Sequence, residues 1–95
     1  MAPRVEVRDN EPALEYEVTV DGERAGEIRY MRDGDTITML HTEVDPKWEG
    51  RGGAAQLVEE ALDDVRARGR RLVPLCPYVA KYIHRHPEYA DLVEE

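Results

Sequence analysis

A chain of 95 residues has room for one domain built around one modest core, so residues 1–95 are expected to form a single compact unit. With 21 acidic residues against 13 Lys and Arg, the formal net charge of -8 argues against nucleic acid or an anionic membrane as a partner. The 41% hydrophobic and 36% charged residues exclude a disordered chain.

In chain order, Val5 and Val7 within Arg4 to Arg8 mark a short edge strand. Leu14, Tyr16, Val18 and Val20 then alternate with Glu15, Glu17 and Thr19, the period of a strand with one buried face. Asp21-Gly22 is a hairpin signal. A strand over Ala25 to Met31 follows, ended by Asp33-Gly34-Asp35, and Thr36 to Val44 is a β-branched strand closed by Pro46. These runs predict an antiparallel meander.

From Ala54 the pattern changes. Leu57, Val58, Ala61, Leu62 and Val65 fall on one face of a helix and Glu59, Glu60, Asp63, Asp64 and Arg66 on the other. Gly69 suits a left-handed stop, and Arg66, Arg68, Arg70 and Arg71 read as helix-end charges and solvated surface. Leu72 to Leu75 is a short strand reached through a helical crossover, hence parallel to Thr36–Val44. Pro74 cannot donate to a ladder, so the two strands are expected to diverge there. Tyr78 to Arg85 forms a second short helix after Pro77, and Pro87 to Val93 a last helical turn. The fold class is α+β: a mixed, mainly antiparallel sheet with a helix after the fourth strand and a short C-terminal helix.

The stretch Glu49-Gly50-Arg51-Gly52-Gly53-Ala54 lies between a strand and a helix. A helix N-terminus offers unpaired N–H donors and about half a positive charge, and glycines let a ligand approach, which suits phosphate. The spacing is neither G-x-G-x-x-G nor a Walker loop. It resembles the strand-to-helix turn of the GNAT superfamily of acetyl-CoA-dependent N-acetyltransferases, Gln/Arg-x-x-Gly-x-Gly/Ala, with Glu49, Gly52 and Ala54 at the matching places. Glu49 departs from that pattern, and Arg51 supplies the missing charge. His41-Thr42-Glu43-Val44, Val73 to Tyr78 and Tyr82 to Tyr89 extend the resemblance over residues 14 to 92, toward a small single-domain subfamily.

The resemblance implies acetyl-CoA as co-substrate and an amine as acceptor. It implies that the N–H groups of Arg51, Gly52, Gly53 and Ala54 hold the pyrophosphate. The pantetheine arm would pair along Thr38 to Val44, Thr42 and Val44 included, with a backbone N–H near His41 or Thr42 polarising the thioester carbonyl. Such a protein needs no metal, and His84 and His86, two apart on a helix, diverge. In place of the helical segment that larger relatives carry between the first two strands, only Asp9 to Ala13 is available. The acceptor is therefore open: protein, polyamine or small molecule.

An amine of pKa about 10.4 needs a base. His41 and Glu43 are the candidates; strict alternation puts both on the face of Ile37 and Met39, odd for a carboxylate unless a bulge or cleft intervenes. For the departing thiolate the resemblance implies a tyrosine acid, Tyr82, with Tyr78 one turn earlier. Cys76 stands about where the family has Asn, and a covalent acetyl-Cys76 route is the alternative to direct transfer. A lone cysteine cannot close an internal disulfide, and no signal peptide or membrane span is visible, so a cytoplasmic location is expected. A CoA-binding or protein-interaction module without catalysis is the competing reading, and a small ligand-free interaction domain the third.

Overall fold

Residue alternation in the N-terminal half and helical periodicity in the C-terminal half produce two packed layers. A computed structural model describes residues 3–48 and 52–94. Strands β1 (Val5–Asn10), β2 (Glu15–Val20), β3 (Glu23–Asp33) and β4 (Thr36–Val44) form an antiparallel meander. Helix α1 (Gly53–Ala67) crosses over to β5 (Arg71–Pro74), which pairs in parallel with β4, giving the order β1-β2-β3-β4-β5. Helix α2 (Pro77–Arg85) and a 3-10 segment, Pro87–Leu92, finish the domain.

One sheet face carries Tyr16, Val18, Val20, Ile28, Tyr30, Ile37 and Met39, which join Leu57, Val58, Ala61, Leu62 and Val65 of α1 in the core. Val79 and Ile83 of α2 and Tyr89 and Leu92 beyond it complete that core. Burial of these side chains is the main stabilising term. The other face is charged: Arg24 binds Glu15, Glu17 and Glu27, and Arg29 reaches Glu27. Glu15 is nearly buried beneath Arg24, and this pairing offsets the cost of removing a carboxylate from water.

Three local features differ from the alternation pattern. Leu14 does not begin β2; it has φ 54° and is exposed, because it caps the 3-10 turn Glu11–Ala13 that links β1 to β2. That single turn is the whole β1–β2 connection, as the short Asp9 to Ala13 stretch implied. The arginine cluster is less solvated than charge alone implies. Arg70 is buried, with Nη2 3.5 Å from a Glu11 oxygen, and Arg66 makes two 2.9 Å contacts to Asp91. The Arg71 guanidinium donates to the carbonyls of Asp91 and Val93, tying the C-terminal segment to β5. Asp21 and Gly22, both with positive φ, form the expected tight hairpin turn, and Gly69 has the left-handed φ of 66° after α1.

Gly26 pairs with Val44, and a Cβ there would lie 2.6 Å from the Glu43 carbonyl oxygen. Only glycine lets β3 approach the end of β4 this closely. Gly26→Ala is expected to lower stability by about 1–3 kcal/mol, read by chemical denaturation, because backbone must move to admit one methyl group.

Candidate functional site

The end of β4 is where the sheet opens. Pairing with β5 runs from Thr36/Arg71 to Met39/Pro74 and stops, as expected from a proline that lacks an N–H. A last tie, from the Cys76 N–H to the Met39 carbonyl at 2.9 Å, follows the turn after Pro74. Beyond Met39, β4 keeps β3 on one side and has no described strand on the other. An extended edge of this kind can accept another extended chain.

A bulge decides which side chains face which way. Arg29 pairs with His41 but Tyr30 with Met39, so Leu40 is an extra residue in β4. The extra residue reverses the alternation. Ile37 and Met39 are buried, whereas Thr42 and Val44, half-buried, continue the core face, and His41 and Glu43 lie on the charged face beside Arg29 and Glu27. The face expected from strict alternation for His41 and Glu43 is therefore corrected. Their side chains are 61% and 70% exposed, with Nε2 of His41 3.6 Å from a Glu43 oxygen. A shallow depression of about 390 Å³ beside Glu43 is lined by Arg24, Gly26, Glu27 and Asp45.

On the helix side, Thr42 Oγ1 lies 3.2 Å from Cys76 Sγ across the opening. Cys76 is buried, just before α2. Gly52 caps α1 with φ 80°, a conformation that favours glycine, and among the described residues no side-chain hydrogen bond caps the start of the helix. Gly53 is buried and Ala54 half-buried. Glu49, Gly50 and Arg51, including the proposed guanidinium partner of a pyrophosphate, lie outside the described residues.

Tyr82 and Tyr78 of α2 line a cavity of about 250 Å³ with Lys81, Arg85, His86 and Ala55 from the first turn of α1. The Tyr82 ring stacks on His86 at 4.0 Å and tilts against Tyr89 at 6.2 Å, while Tyr89 donates to Asp63 of α1 at 2.8 Å. Burial, helped by the carboxylates of Glu59, Glu88 and Asp63, pushes the Tyr82 phenol up, so it stays protonated at neutral pH. The structure thus brings Thr42 to Cys76 and Tyr82 toward the α1 start, but puts His41 and Glu43 on the other side of the sheet edge. Sequence reasoning missed Lys81 and Arg85; their spacing of four on α2, facing the helix start, was the available signal. Among the described residues no group of three or more His, Cys, Asp or Glu side chains is placed to hold a metal ion, and no helix is long and apolar enough to cross a membrane.

A family model described as GCN5-related N-acetyl-transferase matches residues 15–92. The chain belongs to that family. A comparison with proteins of curated function gave no match. A solution structure of a GCN5-like putative N-acetyltransferase from Staphylococcus aureus aligns over 94% of this chain and 87% of its own, with TM-score 0.69 and 19% identity, and so shares the fold. The crystal structure of the ribosomal-protein-S18-alanine N-acetyltransferase from Escherichia coli aligns over 66% of this chain at 26% identity and TM-score 0.58. A putative acetyltransferase of the GNAT family from Desulfovibrio desulfuricans aligns over 61% at 27% identity and TM-score 0.52. The chain spans only 41% and 40% of those last two proteins.

Gly52→Asp adds a side chain at φ 80° and a negative charge at the helix start. A fall of at least tenfold in CoA affinity by titration calorimetry is expected, with the fold checked by circular dichroism.

Proposed function

We propose that the protein is an N-acetyltransferase that binds acetyl-CoA along the open edge of β4 and transfers the acetyl group directly to an amine. The observation that carries this reading is the unpaired edge of β4, followed along the chain by a helix N-terminus that no described side chain caps. An extended arm can lie on the first and an anionic group on the second. Gly52, Gly53 and Ala54 hold the pyrophosphate with Arg51, and Thr42 and Val44 flank the arm.

A thioester held at that edge is accessible from both sides of the sheet. On the charged face, His41 or Glu43 takes a proton from the incoming ammonium, directly or through one water; on the helical face, the Tyr82 phenol protonates the departing thiolate. The neutral amine attacks the carbonyl carbon, the C–N bond forms, the C–S bond breaks, and CoA leaves as the thiol. Glu27, across the strand from Glu43, is already paired with Arg24 and Arg29, so the carboxylates of Glu43 and Asp45 are what favours a cationic acceptor here. The neighbour that acts on ribosomal protein S18 makes a protein amine one candidate class. A second reading, CoA binding without transfer, is favoured by the exposure of both base candidates. Acetyl-CoA binding without turnover on any amine would support it.

Glu43→Gln or His41→Ala is expected to lower kcat about 10²-fold at most while leaving acetyl-CoA affinity within twofold, with the wild-type rate rising with pH as the amine deprotonates. Unchanged turnover in both variants would leave positioning alone as the source of catalysis.

Cys76, buried and in contact with Thr42, is assigned an accessory role. Intact-mass and peptide analysis after incubation with acetyl-CoA and no acceptor is expected to find Cys76 unmodified. An acetyl group on Cys76 that an added amine removes, with transfer lost in Cys76→Ala, would establish the covalent route instead.

A further inference from the structure

Lys81 and Arg85 differ from the other described cations. Every other described arginine and lysine is already engaged by a carboxylate or a carbonyl, from Arg4 with Glu6 to Arg32 with the Gly34 carbonyl. Lys81 and Arg85 are the two that are not, although acidic residues outnumber basic ones by 21 to 13. They are exposed, one turn apart on the same face of α2, and both line the 250 Å³ cavity. Helix-dipole pairing accounts for Arg85 in the last turn but not for Lys81 in the middle of the helix.

The remaining lining indicates what the two cations face. Tyr78 and His86 offer aromatic surface, His86 braced from behind by its 4.0 Å stacking on Tyr82, and Ala55 places the cavity against the first turn of α1. A flat ring beside a phosphate fits such a pocket: the ring lies on the aromatic wall and the phosphate takes the guanidinium and ammonium donors. CoA carries two separate anionic groups, the pyrophosphate and a phosphomonoester on the 3′-oxygen of its adenosine. Resting on the reading above, in which the α1 start takes the first, we infer that Lys81 and Arg85 bind the second, so that the protein selects CoA over 3′-dephospho-CoA. A phosphomonoester carries close to two negative charges at neutral pH, which a chain of net charge -8 would otherwise repel.

Titration calorimetry of the full chain with CoA, 3′-dephospho-CoA and adenosine 3′,5′-bisphosphate tests this. The wild type is expected to prefer CoA over dephospho-CoA about tenfold, a preference that shrinks as salt is raised. Adenosine 3′,5′-bisphosphate should compete with CoA. In Lys81→Gln/Arg85→Gln, with its melting curve checked against wild type, the ratio should fall toward one because CoA affinity drops; in Lys81→Arg it should persist. Equal affinity of the wild type for both carriers, or a ratio unaltered in the double variant, overturns this inference and leaves the acetyltransferase reading standing. Failure of both carriers to bind overturns the two together.

Discussion

The ladder between β4 and β5 ends at Met39 and Pro74, and the organisation of the candidate site follows from that stop. Pro74 stands in the fourth and last pair of this parallel ladder and supplies no N–H to carry it further. The chain turns through Leu75, makes one more bond from Cys76 to Met39, and starts α2. β4 runs on for five residues, from Leu40 to Val44, paired only with β3 and with its other edge open. A buried edge without partners would be costly, so an edge left open in a small domain is either solvated or occupied by a ligand.

The bulge at Leu40 acts on the same segment. Without it, His41 and Glu43 would point into the core with Ile37 and Met39, and an unpaired carboxylate there would be strongly disfavoured. With it, the strand keeps a core face through Thr42 and Val44 and presents its polar pair to solvent. One inserted residue thereby places His41 and Glu43 on one side of the edge and the Thr42–Cys76 contact on the other. Gly26 opposite Val44 belongs to this arrangement, since a side chain there would force β3 away from the bulged strand.

Tertiary ties hold α2 at the correct distance. Arg66 and Arg71 secure the segment after Pro87 to α1 and β5, and Tyr89 from that segment braces Tyr82 while bonding to Asp63. The aromatic wall of the α1–α2 cavity therefore depends on residues far from it in sequence. Arg66 and Arg71, which composition alone reads as surface charge, serve this anchoring, and among the described residues Lys81 and Arg85 are the cations left unengaged beside the start of α1.

Much of this architecture was legible in the sequence because it rests on local rules. Period-two alternation, an Asp-Gly turn, a 3.6-residue apolar stripe and a Gly stop each depend on neighbours within a few residues. Pro74 announced the splay because its missing N–H is a covalent fact. The facing of His41 and Glu43 was not legible, since a bulge is settled by how β3 and β4 pair on either side of it, here Tyr30 with Met39 and Arg29 with His41, not by β4 alone. Nor were the burial of Arg70 and the freedom of Lys81 and Arg85, because a cation's solvation depends on which carboxylates the fold brings within reach. The sequence by itself determined the elements, their order and the place where the sheet opens; tertiary packing alone decided which side chains face the opening, because facing depends on contacts between segments distant along the chain.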